Sequence, residues 1–174
     1  MEVNWTQSVL QANIPLDYAY YFFADSGSHQ VAPAKDALDE EVTAMMIDFT
    51  APAVDDGNAG ANSADFTHGM GYSYSDDPNF MYGAEDMTTE GSDNWWLPSC
   101  GLSGGSSGGP WVQKLIGGDG PVISVNSWGY TGSPGMAGPK LSGTSASCVF
   151  GNATGNTFPA NPSDGDAGYA VNCD

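Results

Sequence analysis

The residues best suited to chemistry in this chain form the run G-S-S-G-G-P at positions 105–110. A serine hydroxyl in a glycine-rich turn suits acyl transfer, because glycine allows backbone torsions that lift the hydroxyl into solvent. Glycine also lets a substrate carbonyl approach main-chain N–H groups without a side chain in the way. In this run the hydroxyl of Ser107 can supply a nucleophile, and the N–H groups of Gly105 and Ser107 can supply an oxyanion hole, but the spacing alone does not prove either role.

The glycine-rich run resembles the G-D-S-G-G-P signature of trypsin-like serine peptidases. The longer run C-G-L-S-G-G-S-S-G-G-P-W at 100–111 resembles the secreted microbial branch of that family. A second match, Ser127-Trp128-Gly129, resembles the family segment that pairs with the substrate backbone and walls the primary specificity pocket. Two ordered matches separated by about twenty residues are hard to obtain by chance.

A third match lies upstream, where residues 16–19, L-D-Y-A, resemble the family strand that carries the triad aspartate. Asp17 precedes Ser107 by roughly ninety residues, the separation that the family's chain order leads us to expect. The resemblance implies an all-β fold of two antiparallel barrels and hydrolysis of a polypeptide substrate through an acyl-enzyme, with no cofactor or metal.

The chain departs from the family at the general base. Family members place a histidine ahead of the aspartate, and no histidine precedes Asp17 here. The two histidines, His29 and His68, both follow it. We expect a chain truncated within the first barrel, which removes the base and the export signal of a secreted enzyme. As given, it should hydrolyse peptides weakly or not at all.

Two further departures bear on activation and specificity. Ser106 replaces the acidic residue that pairs with a freed N-terminal amine in activated trypsins, so that mode of activation is not expected. Gly101 and Leu102, near the expected base of the specificity pocket, include no acid. This argues against a strict preference for Arg or Lys.

Two other interpretations compete with the trypsin-like one. A subtilisin-like peptidase would use Asp25, His68 and Ser145 in that family's own order, but its doubly wound α/β fold needs long helices that the sequence pattern does not indicate. A non-catalytic secreted acidic β domain, either a pseudo-peptidase or a binding module, would hold calcium through clusters such as Asp55-Asp56 or residues 164–166. Neither cluster has the spacing of a known calcium loop.

Charge excludes several classes of partner. The chain has 21 acidic and 3 basic residues and a formal net charge of −18. A field of that sign repels phosphate backbones and anionic lipid, so neither nucleic acid nor a membrane is an expected partner. No stretch reaches the roughly 18 apolar residues of a membrane span.

The three cysteines indicate one disulfide and an odd thiol, because none has metal-type spacing. Cys100 and Cys148 flank the predicted substrate strand, so we predict that they pair with each other. A disulfide suits an extracellular protein.

The elements that must position these residues are mostly short strands, since 24 glycines and 11 prolines favour many turns. Strands are predicted at 14–24 and 121–130, a strand with a hairpin at 68–82, and a loop at 55–65. Residues 35–49 fit either a helix or, in their later half, a strand.

The 174 residues suit one domain with a hydrophobic core. We place this partial peptidase domain at 1–150 and a polar C-terminal tail at 151–174.

Overall fold

A computed structural model of the protein describes residues 16–20, 44–74, 80–155 and 173. The elements in chain order are β1 (Phe66–Tyr72), β2 (Phe80–Asp86), β3 (Thr88–Glu90), β4 (Asn94–Leu97), β5 (Pro110–Gln113), β6 (Val122–Val125), β7 (Met136–Pro139) and α1 (Ala146–Thr154). The chain is all-β apart from this short helix, as the sequence predicts. No helix among the described residues is long and apolar enough to cross a membrane.

The strands form two sheets in which every strand pairing is antiparallel. One sheet has four strands in the order β2-β1-β5-β6, and the other has three in the order β3-β4-β7. A barrel requires a sheet whose first and last strands pair with each other. Within the described ranges neither sheet closes in this way. The predicted β class is confirmed, whereas the two barrels stay a prediction.

The hydrophobic core combines side chains from both sheets. Its buried members are Met87, Trp95, Leu97, Leu102, Trp111, Ile123 and Met136. Trp111 of β5 is fully buried, and burying such an aromatic stabilises the fold by roughly 1.5–3 kcal/mol. Leu102 comes from the long loop between β4 and β5, so the loop that carries Ser107 is itself anchored in the core.

Most predicted elements lie where the sequence places them. The hairpin predicted at 68–82 is the pair β1–β2, whose register joins Met70 to Tyr82. Part of 121–130 forms β6, and 55–65 is a loop of bends and turns.

Two predicted segments are described only in part. Of residues 35–49, which fit either a helix or, in their later half, a strand, only 44–49 are described; they are not helical, and Ile47 forms an isolated parallel bridge with Val122. Of the strand predicted at 14–24, only 16–20 are described, and they are not a strand, because Tyr18 N–H donates to Leu16 C=O at 2.9 Å and turns the backbone. Helix α1 crosses the boundary placed after residue 150.

The predicted disulfide between Cys100 and Cys148 is wrong. Cys148, on α1, is bonded to Cys173, and Cys100 is a free thiol. Cys100 instead packs directly against Gly83 of β2, and its Sγ lies 3.8 Å from the carbonyl oxygen of Pro134. Burial raises the pKa of the Cys100 thiol. The predicted number of disulfides, one, with one free thiol, is correct, but the predicted pairing is not.

Candidate active site

The turn at 103–109 buries one serine and exposes the next. Ser106 is buried, with its N–H and its Oγ both donating to the carbonyl of Ser103, at 3.1 and 2.7 Å. Its own carbonyl accepts from Gly109 N–H at 3.0 Å. Ser107 is exposed. The hydroxyl at 106 therefore helps to close the turn, and the predicted nucleophile points away from the core contacts.

Asn126, directly after β6, is the polar anchor beneath this turn. Its Nδ2 donates to the carbonyls of Met70 and Ser106 at 2.8 and 2.9 Å, and its Oδ1 accepts from Trp111 Nε1 at 2.6 Å. Asn126 is 2% exposed. A buried amide whose nitrogen and oxygen are both hydrogen-bonded holds the groups around it in place. Asn126 was not predicted from the sequence, although an asparagine at the end of an apolar strand, next to Ser127, was a usable signal.

The main chain of Asn126 holds the second half of the turn. Asn126 N–H donates to Gly109 C=O, and Gly108 N–H donates to Asn126 C=O, each at 2.8 Å. A Cβ on Gly109 would lie 1.9 Å from the carbonyl oxygen of Met70, so only glycine fits there. Gly105 has φ +100°, a conformation that side chains rarely adopt. The glycines thus serve the shape of the turn.

The two predicted oxyanion donors are open. Among the described residues, neither Gly105 N–H nor Ser107 N–H donates a hydrogen bond, and Ser107 Oγ has no partner. Neighbouring N–H groups in the same turn, those of Ser106 and Gly108, are both engaged. An exposed hydroxyl and two free main-chain donors within three residues of sequence meet one of the requirements of acyl transfer.

The structure brings Asp17 and Ser127 together across 110 positions of sequence. Ser127 Oγ donates to Asp17 Oδ2 at 2.5 Å. The short segment around Asp17 is held a second time, by a 2.7 Å hydrogen bond between Tyr18 OH and Ser145 Oγ. Ser127 was predicted only to bind substrate, and its contact with the predicted triad aspartate was not expected from the sequence. Within the described part of the chain, no hydrogen bond joins Asp17 to Ser107.

The predicted substrate segment at 127–129 has one paired edge and one free edge. On the paired side, Ser127 N–H donates to Ala137 C=O at 2.9 Å, and Trp128 exchanges hydrogen bonds with the same residue. On the other side, the carbonyls of Ser127 and Gly129 and the N–H of Gly129 have no partner among the described residues. A free edge of this kind can take an extended peptide as an added strand.

Two cavities meet at Ser107. The first, here called the Trp128 cavity, measures about 330 Å³. It is lined by Leu102, Ser103, Gly104, Ser107, residues 127–133, Gly135 and Met136. The second, here called the hairpin cavity, measures about 380 Å³. It is lined by Met70, Gly71, Tyr72, Phe80 and residues 105–110.

The Trp128 cavity is neutral and aromatic. None of its lining residues is charged, and Trp128 and Tyr130 pack edge to face with ring centroids 5.1 Å apart. Behind them, Trp96 lies so close to Gly135 that a Cβ there would be 2.1 Å from the indole. Tyr130 OH donates to Glu90 at 2.7 Å, and this bond raises the pKa of the Tyr130 hydroxyl.

The residues of the subtilisin-like interpretation are engaged elsewhere. His68 on β1 shares a hydrogen bond with Tyr82 OH across the hairpin and packs against Phe66, and burial lowers the pKa of its imidazole. Ser145 precedes α1, and its Oγ shares a hydrogen bond with Tyr18 OH. Asp25, like His29, lies outside the described residues. The antiparallel sheets described here are not the parallel sheet that this interpretation needs.

The acidic clusters also have partners within the fold. Asp56 accepts the N–H groups of Asn58 and Ala64, each at 2.8 Å, and Asp55 accepts from Thr88 Oγ1 at 3.2 Å. Residues 164–166 lie outside the described part. In the described ranges, no group of three or more His, Cys, Asp or Glu side chains is placed to hold a metal ion.

A comparison with solved structures finds one that is similar to this chain. No protein-family model matches the chain, and no curated protein matches it. It is similar to a thermostable serine protease from an extremophilic microorganism, with 29% sequence identity and a TM-score of 0.46. The match covers 64% of this chain and 50% of that one, so the chain matches half the length of that protease.

Proposed function

We propose that the chain carries the nucleophile of a serine endopeptidase. The observation that carries the proposal is the turn at 103–109, where the exposed Ser107 hydroxyl stands beside the unpartnered N–H groups of Gly105 and Ser107. Asn126 fixes this turn from below. The donors are therefore positioned before a substrate arrives, which is the condition for stabilising a transition state.

In the proposed reaction, Ser107 Oγ attacks the peptide carbonyl and passes its proton to a histidine base. The carbonyl oxygen becomes negative and accepts from Gly105 and Ser107 N–H, each donor contributing about 3 kcal/mol. The peptide C–N bond breaks as the leaving amine takes the proton from the histidine. Water, deprotonated by the same histidine, then attacks the acyl carbon. The bond from that carbon to Ser107 Oγ breaks, and the histidine returns the proton to Oγ as the acid product leaves.

Asp17 would orient the histidine and stabilise its charged form. The Ser127 hydroxyl supports this role, because its hydrogen bond fixes the position of one oxygen of the Asp17 side chain. The reaction needs a histidine near Ser107 that the described residues do not supply, since His68 is bonded to Tyr82. The enzyme therefore depends on a base from outside the described ranges.

The proposed substrate is an extended polypeptide that pairs with the free edge of 127–129. That edge borders the Trp128 cavity, so the side chain on the acyl side of the cleaved bond enters this cavity. A neutral lining with Leu102, Met136 and two aromatic rings favours an apolar side chain over Arg, Lys or an acid. The disulfide at Cys148 and Cys173 supports a secreted enzyme.

Active-site labelling with a fluorophosphonate tests the proposal. We expect a covalent adduct on Ser107, located by peptide mass mapping and abolished in Ser107→Ala. Ser145→Ala tests the subtilisin-like alternative, because it removes the serine of that mechanism. The adduct should remain on Ser107, although labelling should be slower, since Ser145 also holds Tyr18 next to Asp17. If no histidine of the chain reaches Ser107, added imidazole should accelerate the labelling.

An adduct on Ser145 instead would support the subtilisin-like mechanism. Absence of any adduct, with and without imidazole, would show that the chain is a non-catalytic domain.

A further inference from the structure

Tyr74, two residues beyond the end of β1, contacts the glycine turn through its main chain. Its N–H donates to the carbonyl oxygen of Gly104 at 2.9 Å. A peptide bond is planar and trans, so the C=O of Gly104 and the N–H of Gly105 point in opposite directions. Because the carbonyl is held against Tyr74, the Gly105 N–H, one of the two predicted oxyanion donors, is directed away from it.

The ring of Tyr74 packs on the same peptide unit. A Cβ at Gly105 would lie 2.6 Å from the Tyr74 nitrogen and 3.0 Å from two atoms of its ring, so the ring lies directly against this glycine. Tyr74 is nevertheless 87% exposed. Burial in the core therefore does not explain why this residue contacts the turn with both its main chain and its ring.

The peptide unit between Gly104 and Gly105 needs a partner outside the turn, because both of its residues are glycines. Glycine adopts either sign of φ, so a Gly-Gly peptide rotates at little steric cost. Among the described residues, the Tyr74 N–H makes the one hydrogen bond to this peptide unit, and the Gly105 N–H has no acceptor. The orientation of the donor thus depends on Tyr74.

The other predicted donor is held in the same way by different residues. The N–H of Ser107 shares its peptide unit with the carbonyl of Ser106. That carbonyl accepts from Gly109 N–H at 3.0 Å and from Asn126 Nδ2 at 2.9 Å. In both peptide units the carbonyl is anchored and the opposite N–H is left open, but only the first unit is anchored by Tyr74.

The position of the first peptide unit gives this contact a consequence for the reaction. Gly104 lines the Trp128 cavity and Gly105 lines the hairpin cavity, so their shared peptide lies at the junction where Ser107 borders both. Tyr74 lines neither of the two cavities. Its effect is therefore on the donor and not on a substrate held in either cavity.

We propose that Tyr74 is a positioning residue for the oxyanion hole. Its N–H fixes the peptide between Gly104 and Gly105, and its ring holds that peptide from the outer side, so that the Gly105 N–H is presented to the reacting carbonyl. This inference rests on the proposed endopeptidase function and deepens it, because it names the group outside the turn that prepares one of the two donors.

Tyr74→Pro, which removes the N–H, is compared with the conservative variant Tyr74→Phe, which keeps the N–H and the ring. The rate of fluorophosphonate labelling at Ser107 is measured by mass spectrometry, and the amide shifts of the adduct by NMR. We expect Tyr74→Pro to be labelled about fivefold more slowly and Tyr74→Phe at the unsubstituted rate. Adduct formation should move the Gly105 amide proton downfield in the unsubstituted chain and in Tyr74→Phe, but not in Tyr74→Pro.

The amide proton of Ser107 is the internal control, and it should move downfield in all three adducts. Selective loss of the shift at Gly105 distinguishes positioning from general damage to the turn, which would abolish both shifts. Ala59→Pro is the control for proline itself, because Ala59 is exposed in the loop at 55–65 and its N–H makes no hydrogen bond within the described ranges. It should change neither the rate nor the two shifts.

An unchanged labelling rate and an unchanged Gly105 shift in Tyr74→Pro would overturn the inference. If proline at this position prevents folding, Tyr74→Ala decides, because it removes the ring, opens the N–H bond to water and should slow labelling by about twofold. An unchanged rate in Tyr74→Ala would then overturn the inference. So would the absence of a through-hydrogen-bond coupling between the Tyr74 nitrogen and the Gly104 carbonyl carbon in the unsubstituted chain.

Acetate, titrated into the unlabelled chain, separates this inference from the proposed function. We expect acetate to move the amide protons of Gly105 and Ser107 downfield, and the Gly105 shift to be lost in Tyr74→Pro. That result without any labelling of the unsubstituted chain would keep the prepared anion hole and refute catalysis. Labelling that does not depend on Tyr74 would keep the peptidase and refute the positioning role.

Discussion

The acidic loop at 55–65 and the glycine turn at 103–109 are both rich in small residues, and they use their main-chain N–H groups in opposite ways. In the acidic loop, carboxylates take the donors: Asp56 binds the N–H groups of Asn58 and Ala64, and Asp86 binds that of Gly60. In the glycine turn, carbonyls and Asn126 hold the backbone, and two donors remain open. A loop that satisfies its own donors has none left for a substrate, so donor use separates the structural loop from the candidate site.

Removal of the Asn126 side chain should have the largest effect on the stability of the glycine turn. Asn126→Ala leaves Trp111 Nε1 and the carbonyls of Met70 and Ser106 without their partner. With about 1–3 kcal/mol for each unsatisfied buried group, we expect the free energy of unfolding to fall by about 4 kcal/mol, together with loss of labelling at Ser107. Urea unfolding measures the loss. Asn58→Ala, in the acidic loop, is the control, and a comparable loss there would break the comparison.

Two single glycine substitutions, compared with each other, test whether the turn depends on the close approach of its backbone to β1. Gly109→Ala places a methyl group against the carbonyl of Met70, so we expect a loss of about 3 kcal/mol. Gly108→Ala meets no atom within 4 Å and has only its φ of +81° to accommodate, which costs about 1–2 kcal/mol. Thermal unfolding of both variants gives the difference, and equal losses would contradict the close packing described here.

The smallest expected effect is the pH dependence of the acidic loop. The N–H groups of Asn58 and Ala64 hold the pKa of Asp56 below its ordinary value of 3.8. Because the folded-state pKa is lowered, the stabilisation is present above the unfolded value and is lost as the pH falls through the folded value. Asp56→Asn should therefore lower the urea midpoint at about pH 6 and have little effect at about pH 2.5. A difference that persists at low pH would mean that the carboxylate charge is not what matters.

Local patterns were sufficient to predict the hairpin β1–β2, the loop at 55–65 and the position of the glycine turn between two strands. These features depend on alternation and turn residues close together in sequence. The pairing of Cys148 with Cys173 depends on which residues meet after the chain has folded, and sequence position beside a strand gave the wrong partner. The contact of Ser127 with Asp17 spans 110 positions for the same reason.

Asn126 shows a different limit of sequence analysis. Its type and position were visible, but its importance comes from three partners on β1, β5 and the glycine turn, none of them adjacent in sequence. A buried amide is recognised as an anchor only when its acceptors and donors are known.

The bond between Cys148 and Cys173 encloses a stretch with a sequence separation of 25. A protease that cuts the main chain once between these two cysteines would produce two fragments that remain covalently linked. Such a nicked molecule would keep its full mass in a non-reducing gel and separate only after addition of a thiol. For a protein of the proposed class, self-cleavage in this stretch would stay hidden until the sample is reduced.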